Sequence, residues 1–182
     1  MHEWITRMKF RPTKFDGAWV IALTELGDER GFFARTFCSE TLRSRGLASH
    51  FPQHSVSYSS RRGTLRGLHF QRAPHAEVKI VRCLRGAVWD VIVDLRPEAP
   101  TFLQWQAFEL TAENRLQLYV PKGFAHGFQS LTADAEVSYM ISELFVPDAA
   151  SGVRFDDAAF GISWPLPVSV MSGKDRTWPN FK

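Results

Sequence analysis

Apolar and polar positions alternate over short segments along most of this chain. Ala87-Val-Trp-Asp-Val-Ile-Val-Asp-Leu95, Phe102-Leu-Gln-Trp-Gln-Ala-Phe-Glu-Leu110, Arg115-Leu-Gln-Leu-Tyr-Val120 and Glu136-Val-Ser-Tyr-Met-Ile-Ser142 each carry the two-residue period of a strand. Val78, Ile80 and Leu84 continue the pattern up to Arg85-Gly86, which reads as a turn. Strands at roughly 10–15-residue intervals, with Gly, Pro or Asn between them, predict an antiparallel sandwich or jelly roll. One helix stands out: Ser39 is placed to cap Glu40-Thr-Leu-Arg-Ser-Arg45, and Gly46 sits where such a helix stops. There are no repeats, no low-complexity tract and no linker. The pattern predicts one β-rich domain over residues 1–182.

Composition agrees with that pattern. A domain of 182 residues buries roughly 70% of the surface its unfolded chain exposes, so it needs no covalent staples. The hydrophobic share of 45% and charged share of 23% are those of a globular chain, not a disordered or fibrous one. Cys38 and Cys83 are the only cysteines, which excludes a secreted disulfide framework and a cysteine zinc cluster. The N-terminal Met1-His-Glu-Trp-Ile-Thr-Arg-Met-Lys-Phe-Arg-Pro-Thr-Lys-Phe15 lacks the apolar core of a signal peptide, and no apolar run is long enough to span a bilayer. The expected location is cytoplasmic.

Charge changes the picture more than composition does. The formal net charge is +3, too small for a general nucleic-acid binder, and 16 of the 22 cations are arginine. Seven of them, Arg61, Arg62, Arg66, Arg72, Lys79, Arg82 and Arg85, lie between His54 and Trp89 with Glu77 as the only acid. That segment carries +6 and leaves −3 for the rest of the chain. Arginines on surface strands and turns account for such a run equally well. The sharper expectation is a local site for a di-anionic ligand such as a nucleotide diphosphate.

The candidate chemistry is sparse. His69 lies in Arg66-Gly-Leu-His-Phe-Gln71, between a glycine and apolar neighbours. Lys79 interrupts the apolar Val78-Lys-Ile-Val81, either snorkelling or pointing a cation into a cavity. Pro121-Lys-Gly-Phe-Ala-His126 is a turn that delivers a second histidine to a strand. Tyr139 shares a strand face with Val137 and Ile141, which suits a barrel interior, though a packed phenol with one hydrogen bond is the commoner reason for such a residue. Ser172-Gly-Lys-Asp175 reads as a polar loop. There is no Gly-rich phosphate loop, no Gly-x-Ser-x-Gly, no Cys-x-x-Cys and no His-x-His pair. This favours proton chemistry with no cofactor and no metal.

Seven motifs then occur in order: Gly27-Asp-Glu-Arg-Gly-Phe-Phe33, Leu65-Arg-Gly-Leu-His-Phe-Gln71, Lys79-Ile-Val-Arg82, Asp90-Val-Ile-Val-Asp-Leu-Arg96, Pro121-Lys-Gly-Phe-Ala-His-Gly-Phe128, Gly161-Ile-Ser-Trp-Pro165 and Ser172-Gly-Lys-Asp175. Each is weak alone. Together, over nearly the whole chain, they resemble the dTDP-4-dehydrorhamnose 3,5-epimerase family. The resemblance implies an all-β, cupin-type jelly roll (a double-stranded antiparallel β-helix) with a few short helices. It further implies a homodimer and an isomerase that acts without metal on a nucleotide-linked 4-keto-6-deoxyhexose, with no nucleic-acid or membrane partner.

Carried residue by residue, the resemblance makes His69 the base and Asp175 the carboxylate that orients it. Tyr139 is the proton donor and Lys79 the cation near the keto oxygen. It makes Arg66, Arg30, Gln53 and His126 substrate contacts and places Phe145 where the family stacks an aromatic ring on the base. Lys174, Ser55 and Arg35 fall among the same contacts. Three positions depart from the family pattern: Arg35 and Ala150 replace expected glutamates, and Gln53-His-Ser55 replaces Gln-x-Asn. The matched base, acid and cation are intact, so the chemistry is kept, while the nucleotide, the deoxysugar and the choice of C3, C5 or both stay open.

Chemical need supports these roles independently. C3 and C5 flank the C4 ketone, so loss of either proton gives an enolate that reprotonates on the other face. An ordinary imidazole, titrating near pH 6.5, is a workable base at neutral pH. A carboxylate on its second nitrogen fixes the tautomer. Two rivals remain at this point. One is a metal-dependent cupin enzyme using His69, His75, Glu77 and His126, and the other a non-catalytic sugar-binding jelly roll.

Overall fold

The structure is a computed structural model and describes residues 8–181. Residues 1–7, the start of the N-terminal stretch read above as lacking a signal-peptide core, and residue 182 lie outside the described residues. The alternating segments become β-strands: β1 (Lys9–Pro12), β2 (Trp19–Ala22), β3 (Glu25–Asp28), β4 (Gly31–Ala34), β5 (Gln53–Ser59), β6 (Leu65–Gln71) and β7 (Lys79–Arg85). They continue as β8 (Ala87–Asp94), β9 (Trp105–Thr111), β10 (Gln117–Val120), β11 (Phe124–Ser130), β12 (Ala135–Ile141) and β13 (Ala150–Gly152). Two short helices, α1 (Ser39–Arg43) and α2 (Gly173–Arg176), complete the described elements.

The strands form a six-stranded sheet, β1-β2-β10-β7-β12-β5, a five-stranded sheet, β13-β6-β11-β8-β9, and a separate β3–β4 hairpin. Neighbouring strands run antiparallel throughout, in the two-sheet jelly-roll arrangement that the alternation predicts. Val81, Cys83, Leu118 and Val137 of the first sheet meet Val88, Ile92, Leu110 and Phe128 of the second in a common core. Strand β8 shows why its sequence is apolar almost throughout. Val88 and Ile92 face that core, while Val91 and Val93 face the other side, where Val153 and Phe160 cover them. A one-residue slip would exchange the two sets, so burial on both faces pins the register.

Element boundaries differ from the sequence pattern where local turn chemistry intervenes. The segment from Phe102 becomes a strand only at Trp105, because Leu103 adopts φ +61° and donates its N–H to Asp94 O at 2.8 Å. Arg115 likewise has φ +53°, in a turn held by Thr111 and Asn114 side chains, so β10 begins at Gln117. The helix cap falls on Cys38, not Ser39, because the Leu42 N–H already reaches Cys38 O at 3.1 Å. Gly46 does end the helical turn. It takes φ +70°, with Leu47 N–H to Leu42 O and Gly46 N–H to Arg43 O both at 3.0 Å, a closure that favours glycine. Among the described residues no helix is long and apolar enough to cross a membrane.

Candidate active site

A cavity of about 730 Å³ opens between the two sheets. Strands β5, β7 and β12 supply Gln53, Ser55, Ser57, Lys79 and Tyr139 to one wall, and β6, β11 and β13 supply Arg66, His69, His126 and Ser151 to the other. The segment leading through α2 adds Ser172, Lys174, Asp175 and Trp178. Ten of the twelve expected site residues therefore meet in one cavity: His69, Tyr139, Asp175, Lys79, Gln53, Ser55, Arg66, His126, Phe145 and Lys174. Arg30 and Arg35 are absent from its lining. Arg30 sits at the exposed tip of the β3–β4 hairpin, paired with Asp28, and Arg35 lies in the segment between that hairpin and α1.

His69 is placed by a close backbone crossing between β6 and β11. It pairs directly with His126 across β6 and β11. Two residues before it, Gly67 has φ +136°, and a Cβ there would stand 2.6 Å from Gly127 Cα. Only glycine fits at both positions. The His69 Nε2 lies 2.6 Å from Asp175 Oδ1, and the Gly67 N–H donates to Asp175 Oδ2 at 3.3 Å. Ser172 Oγ accepts the Asp175 N–H at 3.0 Å, which fixes the start of α2. Burial of the Asp175 carboxyl opposes its charge. The His69 hydrogen bond and charge, the Gly67 amide and Ser172 outweigh that and hold its pKa below the usual carboxylate range. The imidazole thus has a partner on Nε2 that is charged at neutral pH, and leaves Nδ1 as the nitrogen free to take a proton.

Tyr139 stands on β12, in the sheet opposite β6. Its hydroxyl lies 3.1 Å from Ser57 Oγ. Burial pushes the phenol above its ordinary range against the Ser57 hydrogen bond, with smaller contributions upward from the Asp90 charge and downward from Arg66. Lys79 Nζ lies 2.9 Å from Glu77 Oε1 and donates to His69 O at 3.4 Å. Both side chains of that pair are nearly sealed, at 10% and 11% exposure. An ammonium has three donors, so one remains for a ligand oxygen. His126 is buried against Asp90, with Nε2 at 2.9 Å from Oδ2. Arg66 is anchored by Ser59 Oγ at 3.2 Å and Tyr58 O at 2.7 Å. Phe145 lies exposed at the rim, its N–H held by Gln53 Oε1 at 2.6 Å.

A family model described as dTDP-4-dehydrorhamnose 3,5-epimerase matches residues 12–182. This chain belongs to that family. A relative named dTDP-4-dehydrorhamnose 3,5-epimerase from Methanothermobacter thermautotrophicus is 41% identical over 177 residues, covering 96% of this chain and 95% of its own. A Bacillus anthracis dTDP-4-dehydrorhamnose 3,5-epimerase solved with TDP and PPi bound superposes with a TM-score of 0.93. Its identity to this chain is 43%, and the match covers 96% of this chain and all (100%) of that one. The Legionella pneumophila dTDP-6-deoxy-D-glucose-3,5-epimerase, solved with dTDP-4-keto-L-rhamnose, gives a TM-score of 0.89 at 37% identity. There the coverage is 96% of this chain and 93% of that one.

Within this member of the epimerase family, the cationic run is not a single patch. Of its seven cations only Arg66 and Lys79 line the cavity, and Lys174 joins them from outside the run. Arg62 and Arg72 instead bond the backbone at Leu131 O and Asp148 O. The ligand set of the metal rival is not assembled either. His69 and His126 are committed to Asp175 and Asp90, Glu77 to Lys79, and His75 faces Glu143 at 3.9 Å. No group of three metal-binding side chains exists among the described residues.

Four contributors were not legible as site residues: Ser57, Asp90, Trp178 and, in its pairing role, Glu77. Asp90 carried a signal, as an acid inside the apolar Val88–Val93 run that can be buried only with a partner. Trp178 carried none. It packs edge-on to His69 at 6.3 Å between centroids, beneath Lys174 Nζ at 5.0 Å. Its ring rests on Gly152, where a Cβ would come within 2.4 Å of Cε2.

Proposed function

We propose that this chain epimerises a nucleotide-linked 4-keto-6-deoxyhexose, with dTDP as the favoured carrier, at C3, C5 or both. One observation carries the proposal. A histidine–carboxylate pair and a phenol stand on opposite walls of one cavity, with a lysine ammonium reaching from the phenol's sheet to the His69 carbonyl oxygen. In this reading His69 Nδ1 removes the proton next to the C4 ketone, and Asp175 stabilises the imidazolium that forms. The Lys79 donor left free by Glu77 and His69 O offsets charge growing on O4, an interaction whose removal typically costs about 10²–10³ in rate. Tyr139 returns a proton to the opposite face, which converts exchange into inversion.

Arg66, Lys174, Gln53, Ser55 and His126 are proposed to hold the sugar diphosphate, and Phe145 to stack on the nucleobase at the rim. Arg30 and Arg35 lie off the cavity of their own chain, on and beside a hairpin that exposes Phe33 at 59%. Both facts support a homodimer in which this arm meets a second copy and brings those arginines to its ligand. Residues 1–182 are read as a single epimerase domain, since one core joins both sheets. The two free cysteines fit a reducing, cytoplasmic setting.

The test is transfer of solvent deuterium into dTDP-, GDP- and CDP-linked 4-keto-6-deoxyhexoses. Label at C3 or C5 with one of them, lost in His69→Ala, supports the function. No label with any of the three overturns it.

A further inference from the structure

Each inversion moves two protons. His69 gains one and Tyr139 loses one, so both must be restored before a second carbon of the same bound sugar can react. The structure makes the two recoveries unequal. The His69 side chain is 43% exposed, so the imidazolium can pass its proton to water. The Tyr139 hydroxyl has a single hydrogen-bond partner among the described residues, Ser57 Oγ at 3.1 Å. A sugar seated against the ring covers the cavity side of the phenol. Ser57, which lines the same cavity from β5, is the neighbour placed to hand the phenol a proton beside that sugar.

Ser57 is suited to carry a proton. Strand β5 is the edge of its sheet, paired among the described residues only with β12, and Ser57 is half-buried there at the cavity wall, within hydrogen-bond reach of the phenol. A hydroxyl donates and accepts at once. On the same strand face Ser55 is exposed, while the Ser59 hydroxyl is already taken by Arg66. From this geometry we infer that Ser57 relays a proton to Tyr139 while the sugar remains bound, and so sets whether one or two centres are inverted in each binding event. The inference rests on the epimerase function proposed above.

The protons balance. The Ser57 O–H donates to the Tyr139 phenolate, and its oxygen takes a proton from water at the sheet edge. The hydroxide left behind is neutralised by the proton that His69 releases. Burial of the phenol makes the phenolate a strong acceptor for that transfer.

The experiment runs wild type, Ser57→Ala and Ser57→Thr in D₂O with dTDP-4-keto-6-deoxyglucose and counts deuterium at C3 and C5 in the first product released. Wild type is expected to release doubly labelled sugar. Ser57→Ala is expected to release singly labelled sugar, with labelling of the second centre slowed at least about tenfold relative to the first. Ser57→Thr, which keeps a hydroxyl, restores the wild-type pattern. Doubly labelled product from Ser57→Ala in wild-type proportion overturns the relay. So does an equal fall at both centres that Ser57→Thr does not rescue, because that is a structural defect. Label at one centre only in wild type overturns it as well. An unlabelled wild-type product is a different failure, since it removes the epimerase function itself.

Discussion

Replacing Asp175 by asparagine keeps the shape of the dyad and removes its charge, and the surrounding backbone dictates how the amide must sit. The Gly67 N–H needs an acceptor where Oδ2 now lies at 3.3 Å. Gly67 cannot move aside, because its chain crosses Gly127 too closely for even one added carbon. The amide oxygen therefore turns to Gly67, and the NH₂ group faces His69 Nε2 across the present 2.6 Å contact. A donor there makes Nε2 the acceptor and moves the ring proton to Nδ1. That is the nitrogen required to receive the substrate proton, so the base is blocked by its tautomer. An equivalent change in a serine-protease triad costs about 10⁴ in kcat, and general acid–base groups contribute about 10²–10⁴. A fall of about 10³–10⁴, or about 4–5.5 kcal/mol in the barrier, is the expected result. The assay is the initial rate of solvent deuterium uptake, with dTDP affinity measured as a control for folding. A loss smaller than tenfold, or one matched by lost dTDP binding, would refute the tautomer account. The pH profile adds a check. A carboxyl held below its ordinary pKa keeps its charge, and the stability that charge confers, at every pH above the usual carboxylate value near 3.8; both are lost only on further acidification. Any acid limb above that value must come from another group.

Three further changes probe the same cavity. Tyr139→Phe should retain deuterium exchange yet release sugar of unchanged configuration, with the inversion rate down about 10²–10⁴. Because burial raises the wild-type phenol, its proton is held through the ordinary tyrosine range near 10, and an alkaline limb due to Tyr139 appears only above it; a limb at neutral pH that vanishes in Tyr139→Phe contradicts this. In Gly152→Ala the new carbon would lie 2.4–2.7 Å from three Trp178 ring atoms, so the indole must shift away from His69 and Lys174. Displacement on the order of 1 Å next to a base can cost about 10²-fold, and wild-type kcat in this variant would show that Trp178 does not position the site. Glu77→Gln leaves Lys79 with no fixed counter-charge, so kcat should fall about tenfold or more with KM little changed. A rise in KM at constant kcat would assign the pair to ground-state binding instead.

Much of the fold was legible because half-buried strands such as β12 alternate, while strands buried on both faces such as β8 read as near-continuous apolar runs. What was hidden depended on turns that override propensity. The positive φ values of Leu103 and Arg115 delayed two strands, and the Cys38 carbonyl captured the helix start. The site divides in the same way. His69, Lys79, Tyr139 and Asp175 sit in motifs, and the resemblance carried by those motifs was enough to bring them together. Ser57 and Trp178 matter through contacts across the fold, to a phenol 82 residues away and to a glycine on β13, and no local pattern announces such contacts. The cationic run misled for a related reason. Sequence proximity placed seven charges together, but only Arg66 and Lys79 reach the cavity, while Arg62 and Arg72 are spent on backbone carbonyls.

The central claim is that His69 and Tyr139 move protons on opposite faces of a carbon beside a ketone. It is tested most directly by stereochemical analysis of dTDP-4-keto-6-deoxyglucose turned over in D₂O by the wild-type enzyme and by His69→Ala. The account predicts that every inverted C3 or C5 carries a solvent deuteron in the wild-type product and that neither label nor inversion accumulates with His69→Ala. Inverted product without solvent label, or full activity in His69→Ala, would contradict it.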